Sequence, residues 1–281
     1  MADSPIGPVL ALGSALSWGV ADFAGGMFSR RLSAFAVVGV SQALSLVVLL
    51  AAMPFLGVPD TLAWLPWAIL AGASGAVGLS AFYRSLAFGT VGVVSPISAM
   101  GAAIPVGIGL ATGDNPAALQ LVGIVLALLG AILASGPELR GEEHVKAQAI
   151  WFAVLAAGGF GITMWAIARG SESSPFMTLV GMRGTSVLGF AVIALIVRSL
   201  GGVKAKDLPG LALLGLGDVT ANALLGISTT FGLLSISAVL SALYPVVTVA
   251  LAAVILHERM KPIQLIGTAL ALLGVVLIAV V

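Results

Sequence analysis

The fold class this sequence predicts is an all-α membrane protein, with ten transmembrane helices arranged as two inverted five-helix repeats. Three observations predict it. First, 60% of the 281 residues are apolar, while Asp, Glu, Lys and Arg together make up only 8%, against about 25% in a soluble domain. So few charges cannot cover the surface of a soluble protein this long, which excludes a soluble globular enzyme. Second, apolar runs long enough to span a bilayer, about 20 residues each, recur along the whole chain. Third, the second half of the chain repeats the first.

The predicted spans are 6–28, 34–56, 64–86, 91–112, 118–136, 148–168, 176–197, 209–231, 235–256 and 262–281. The N-terminal tail lacks the positive stretch of a signal peptide, so residues 6–28 are expected to stay as a helix. Pro54 and Pro59 mark the end of the second span. The third carries Gly72, Gly75 and Gly78 at three-residue spacing. That stripe reads as a packing face and not a phosphate loop, since no strand precedes it. Pro96 and Pro105 interrupt the fourth span, and Pro116 precedes the fifth. Trp151 and Trp165 bracket the sixth; Trp151 reads as an interfacial anchor, Trp165 as either an anchor or a cavity wall. Pro175, Pro209 and Pro262 open later spans, and Tyr244 precedes Pro245 within the ninth. A β-barrel would need strands of about 10 residues with alternating polarity, and none is visible.

The longest hydrophilic stretch, Pro137 to Gln148, divides the chain. The expected organisation is a first five-helix repeat at 1–137, a connecting loop at 138–147 and a second repeat at 148–281. Gln120 to Gly130 and Gln264 to Gly274 are identical at eight of eleven positions, at an offset of 144. Phe88-Gly89 and Ser98-Ala99 match Phe231-Gly232 and Ser241-Ala242 at an offset of 143, and Ala11, Ala15 and Gly19 match Ala153, Ala157 and Gly161. Five spans per repeat is an odd number, so the second repeat enters the membrane from the opposite side. Such inverted repeats are typical of secondary transporters, whose sites lie at the repeat interface near the midplane.

Lysine and arginine are distributed unevenly. Loops after odd-numbered spans hold Arg30, Arg31, Arg84, Arg140, Lys146, Arg198, Lys204, Lys206, Arg259 and Lys261, whereas the opposite loops hold Arg169. The positive-inside rule then predicts cytoplasmic odd loops and both termini outside. The expected location is a bacterial inner membrane. A net charge of +1 argues against nucleic acid. With no Cys and two isolated His, disulfides, thiolate metal sites and His-rich metal sites are excluded. No cofactor is expected. No Walker motif occurs, so any coupling is expected to draw on an ion gradient. A monomer is expected, with the lipid bilayer and a small organic substrate as its partners.

Several motifs resemble the drug/metabolite transporter superfamily, specifically its EamA-type ten-helix members. They are Ser14-Ala15-Leu16-Ser17-Trp18-Gly19, Tyr83-Arg84-Ser85-Leu86-Ala87, and His257-Glu258-Arg259-Met260-Lys261-Pro262-Ile263-Gln264-Leu265-Ile266-Gly267. The last is similar to the family's "GERxxxxQxxG" signature, with His257 in place of the usual Gly. Gly113-Asp114-Asn115-Pro116 through Gln120-Leu121 and Gly123 resembles a degenerate copy, with Asp114-Asn115 where the family often has Glu-Arg. The resemblance covers essentially the whole chain. It implies a carrier of small organic metabolites or drugs, often outward, and not an enzyme. It places the cavity between the halves, lined by spans 1, 3, 4, 6, 8 and 9. It also implies cytoplasmic termini, which the charge bias opposes.

Asp22, Arg183 and Asp218 lie inside the spans, where a charge costs about 2.5–3.5 kcal/mol on insertion scales. Asp218 falls near the midplane with Asn222 four residues on, on the same helix face. The pair reads as a polar site for substrate, or as structure, with Asn222 bonding another helix and Asp218 protonated or paired to Arg183. Asp22 follows Trp18 at the same spacing, so an aromatic ring beside a carboxylate suits an organic cation. Alternatively, Trp18 packs in the core and Asp22 pairs with Arg30 or Arg84. Arg183, near the start of its span, is either a charge partner or snorkels to the surface. Asp22 and Asp218 are the candidates for proton coupling. Paired interruptions in spans 4 and 9 point to Tyr244 and to the matched Ser98 and Ser241 as candidate cavity residues, the serines alternatively packing between helices. Tyr83 completes the candidate substrate contacts. A lipid flippase, a scaffold or a membrane-embedded enzyme is the alternative reading. Against an enzyme, the single polar cluster, Glu138 to Lys146, mixes signs like a solvated connector.

Overall fold

The structure, a computed structural model, describes residues 5–86, 88, 91–136, 147–198, 202–257 and 260–280. The expected connector at 138–147 lies outside the described residues apart from Ala147, as do Gly89, Glu258 and Arg259. Helices and turns, and no strand, make up the described residues.

The chain forms α1 (Ile6–Ser29), α2 (Ala34–Leu56), α3 (Leu65–Leu86), α4 (Val91–Ala99), α5 (Ala103–Thr112), α6 (Ala118–Ala134), α7 (Ala147–Ser171), α8 (Pro175–Val197), α9 (Leu208–Phe231), α10 (Leu234–Ser241), α11 (Tyr244–Ile255) and α12 (Pro262–Ala279). Nine stretches of helix among the described residues are long and apolar enough to cross a bilayer, and α6 adds a shorter one of 17 residues. The boundaries follow local chemistry. The Ser33 hydroxyl accepts from the Ala36 amide at 3.3 Å and that of Ser174 accepts from Met177 at 3.2 Å, satisfying amides that the first helical turn leaves open. Gly57 at φ 75° and Gly113 at φ 121° end α2 and α5 in backbone that only glycine adopts readily. The largest departure from the expected ends is in α7, which runs to Ser171, three residues beyond the predicted 168. Its terminal charge is accommodated in place, because Arg169 bonds Glu172 at 2.6 Å and lies over the Trp67 ring.

The fourth and ninth spans are broken helices. α4 and α5 are separated by a 3-10 turn at Met100–Ala102, and α10 and α11 by Ala242 and Leu243. Proline explains both interruptions. Pro105 and Pro245 lack the amide that would reach back to Gly101 and Ser241, so the helical ladder loses a bond at each place.

The two halves, α1–α6 and α7–α12, are inverted relative to one another, and they repeat the same contacts. Ser85 donates to the Ala149 carbonyl at 2.6 Å, and Ser228 donates to the Gly7 carbonyl at 2.7 Å. These two bonds relate donor and acceptor at offsets of 143 and 142. In each, the third helix of one half holds the first helix of the other. Gly7 opposite Ser228 and Ser17 opposite Gly217 make α1 and α9 antiparallel. The side chain of Gln120 accepts from the Ala117 amide and that of Gln264 from the Lys261 amide, both at 2.9 Å. The segments most alike in sequence pack on each other: Gly130 lies against Ala271, and Gly274 against Ala127. Each of these contacts is the repeat-related copy of the other, so the same small residues suit both copies.

Candidate functional site

Charge and aromatic rings converge where α1 meets α9. Asp218 sits ten residues beyond the start of α9, about 15 Å along the helix axis. Its Oδ1 accepts from the indole Nε1 of Trp18 at 2.9 Å and from Asn222 Nδ2 at 3.3 Å, and its Oδ2 accepts from Arg183. Arg183, only 3% exposed, thus forms the charge pair and does not snorkel to the surface. The reason is local: Asp218 faces it inside the protein, and a buried guanidinium needs a counter-charge. Asn222 also donates to the Asp218 backbone carbonyl at 2.7 Å. Its amide therefore supports Asp218 within α9, and the expectation of an Asn222 bond to another helix gives way to an intrahelical one. An asparagine four residues on reaches its own helix first.

Asp22 lies four residues from Trp18 on α1. The exposed apolar residues Val9, Leu16, Val20 and Met27 mark the lipid side of this helix. At 3.6 residues per turn, Asp22 projects about 140° away from them, towards the interior. It is nonetheless exposed, so it borders an accessible internal space. Asp218, Tyr83 and Tyr244 are all within its electrostatic reach. Among the described residues Asp22 has no hydrogen-bond or ion-pair partner, and the alternative pairing with Arg30 or Arg84 is not formed.

Aromatic rings pack in this region. Tyr244, the first residue of α11 after the break, meets Trp18 edge-on at 6.1 Å. Gly19 lets α1 approach the Tyr244 carbonyl, and Gly161 lets α7 approach that of Gly101, its counterpart in the other half. Tyr83 packs against Phe35 at 5.6 Å and, with Phe35, Arg84 and Phe88, lines a cavity of 350 Å³. A second cavity of 560 Å³ lies between α3, α7 and α8, with Arg84 in its lining.

Other candidates sit elsewhere or serve packing. Ser241 is fully buried and donates to the Ala11 carbonyl at 3.3 Å, tying α10 to α1. Ser98 is also buried, and among the described residues its hydroxyl has no partner. Trp165 meets Trp67 edge-on at 5.2 Å, towards the end of α7 where Arg169 caps the pair, while Trp151 is 74% exposed, as an interfacial anchor requires. Sequence reasoning missed Ser17, which donates to the Gly217 carbonyl at 2.7 Å, and the Ser74–Thr163 hydroxyl pair at 2.8 Å on the α3–α7 interface. The only signal for either was its place beside a matched repeat position. It also missed the asymmetry of the charge: at an offset of 143 the counterpart of Asp218 is Gly75. Among the described residues no group of three or more His, Asp or Glu comes together to hold a metal ion.

Comparison with known proteins bears on this geometry. A solved crystal structure superimposes with a TM-score of 0.80 at 16% sequence identity, covering 98% of this chain and 96% of that one. That likeness speaks to the fold. No protein of curated function matches the chain. The sequence model of the EamA-like transporter family matches twice, over residues 5–136 and over 147–280. With both halves matched and the inverted ten-span architecture in place, the chain belongs to the EamA-like transporter family.

Proposed function

We propose that this protein is a secondary transporter that exports small organic metabolites or drugs across a bacterial inner membrane by alternating access. The observation that carries the reading is Asp22, an unpartnered carboxylate bordering an accessible space between inverted halves, beside Trp18, Tyr83 and Tyr244. A carboxylate left without a partner inside a membrane protein is expensive unless a ligand or proton meets it. Substrate contacts are assigned to Trp18, Asp22, Tyr83 and Tyr244, with Asp218, Arg183 and Asn222 as the polar floor. The broken spans α4–α5 and α10–α11 would flex as the halves rock around this centre.

Direction rests on two supports. The charge bias favours cytoplasmic odd loops and external termini, and the 350 Å³ cavity adjoins Tyr83 and Arg84 at the odd-loop end of α3. A site loading from that side would load from the cytoplasm. Purified protein in proteoliposomes, offered a panel of organic cations, neutral solutes and anions, tests the reading. Carrier-type saturable flux that is lost in the Asp22→Asn and Trp18→Ala variants is expected. Native flux in both variants, with normal folding, would sink the proposed site.

A second reading, lipid translocation, is favoured by the 560 Å³ cavity, whose largely apolar lining includes the cationic Arg84. Scrambling of fluorescent phospholipid in the same vesicles, without solute flux, would select it.

A further inference from the structure

We infer that the groove between α3, α7 and α8 holds a resident anionic phospholipid, its headgroup phosphate on Arg84 and one acyl chain packed along α3. The lipid is a bound component of the protein and not a transported solute, so the inference stands apart from the transporter reading.

The groove has the reach of one leaflet. Its volume is 560 Å³, and it runs from Ala73, near the middle of α3, to Arg84, near its end. At the rise of an α-helix that distance is about 16 Å. One leaflet of hydrocarbon is about 15 Å deep, half of a core of roughly 30 Å. Ala73, Val77 and Leu155 of the lining are exposed, so the groove opens sideways to the bilayer.

Its polarity is ordered like that of a lipid. At the deep end the Thr185 hydroxyl donates to the Gly181 carbonyl of its own helix at 2.9 Å, so no donor is left over among the alanines there. One turn before Arg84, Ser80 lines the groove with a hydroxyl that makes no hydrogen bond among the described residues. It lies about 6 Å deeper than Arg84 along α3, below the phosphate, where the ester carbonyls of a phospholipid need a donor.

Arg84 supplies the charge. No carboxylate accompanies it in the lining, and it forms no ion pair among the described residues. Its guanidinium lies over the Phe152 ring at 5.8 Å, which keeps the charge at the groove mouth. A guanidinium meets a phosphate through two parallel bonds. With no carboxylate beside it to receive an ammonium, a headgroup of net negative charge fits better than a zwitterion. The depth agrees. Ser85 donates to the Ala149 carbonyl at 2.6 Å, which sets Arg84 level with the start of α7, where the exposed Trp151 marks the headgroup region.

Packing does not demand this lining. At an offset of 143, Ala73, Ala76, Ala81 and Arg84 correspond to Leu216, Val219, Leu224 and Ile227. The same helix position in the second half thus carries bulkier, uncharged side chains, and the small residues with their cation are particular to α3.

Native mass spectrometry and thermal-shift titration test this, with dioleoylphosphatidylglycerol, dioleoylphosphatidylcholine and inorganic phosphate as probes. Wild-type protein in mild detergent is expected to retain one phosphatidylglycerol per chain, to bind it more tightly than phosphatidylcholine, and to ignore phosphate. Arg84→Gln is expected to weaken phosphatidylglycerol by about tenfold or more, the worth of a hydrogen bond to a charged group, and to erase the preference. Gly189→Leu keeps Arg84 and fills the groove, where a methyl group on residue 189 meets only Ala76, at 4.0 Å. It should lose the lipid while melting no lower than wild type in lipid-free detergent. Lys206→Gln removes an exposed cation at the same end of the bundle and should bind as wild type. Equal affinity of wild type for the two phospholipids overturns the inference, and so does phosphate binding without lipid. Wild-type affinity in Arg84→Gln or in Gly189→Leu overturns it as well. Arg84-dependent passage of fluorescent phosphatidylglycerol between leaflets would make the lipid a substrate and overturn its residence.

Discussion

The indole N–H of Trp18 donates to Oδ1 of Asp218 at 2.9 Å, joining the first helix of one half to the third helix of the other across 200 residues of chain. The same carboxylate holds Arg183 on its other oxygen. One side chain therefore links α1, α8 and α9 near the middle of α9.

Replacing Trp18 by Phe keeps a ring and removes the donor. A hydrogen bond to a charged group is worth about 1.5–3 kcal/mol, and Asp218 keeps two other donors, so a loss near the lower figure is expected. Thermal melting in detergent measures it. A melting temperature equal to that of the wild type would mean the indole contributes only its packing.

Arg183→Met alone should be far more damaging than Arg183→Met combined with Asp218→Asn. Removing one member of a buried pair costs about 3–5 kcal/mol because the other charge is left unpaired. The lower end applies here, since the Asp218 side chain is 27% exposed. A double-mutant cycle on melting temperatures checks the expectation; simple additivity of the two single changes would contradict it.

At the α6–α12 contact, a methyl group built on Gly274 would lie 2.6 Å from the backbone nitrogen of Ala127, whereas one built on Gly107 meets nothing within 4 Å. Gly274→Val should therefore yield aggregated protein in size-exclusion chromatography, and Gly107→Ala should run as a single native peak. Overpacking at a backbone contact costs about 1–3 kcal/mol or more, because neither main chain can move aside freely.

Orientation has a direct chemical readout, because the chain contains no cysteine of its own. With odd loops cytoplasmic, a cysteine at Asp60 should react with an impermeant maleimide in intact cells. One at Lys204 should react only after permeabilisation. The reverse pattern would place both termini in the cytoplasm.

Span positions were legible in the sequence because each is a local property: about 20 consecutive apolar residues suffice to cross a bilayer, whatever the rest of the chain does. The second and eighth spans illustrate this, since α2 occupies the predicted 34–56 and α9 begins one residue before the predicted 209. Inversion was legible too, because an odd number of spans per repeat leaves no other topology. The exceptions were ends where a polar residue finds a partner, as Arg169 does, so that charge alone does not stop a helix.

By itself the sequence determined the solvent, the spans, the repeat and the short set of embedded charges. Which of those charges pair was decided only by the tertiary structure. Asp218 takes Arg183 from 35 positions away and Trp18 from 200, and leaves Asp22 unpaired although Asp22 lies beside Trp18 on the same helix. Spacing along one helix says which face a side chain shares. It does not say which neighbouring helix will be packed against that face, and pairing inside a membrane protein is settled by the close approach of helix surfaces that are distant in sequence.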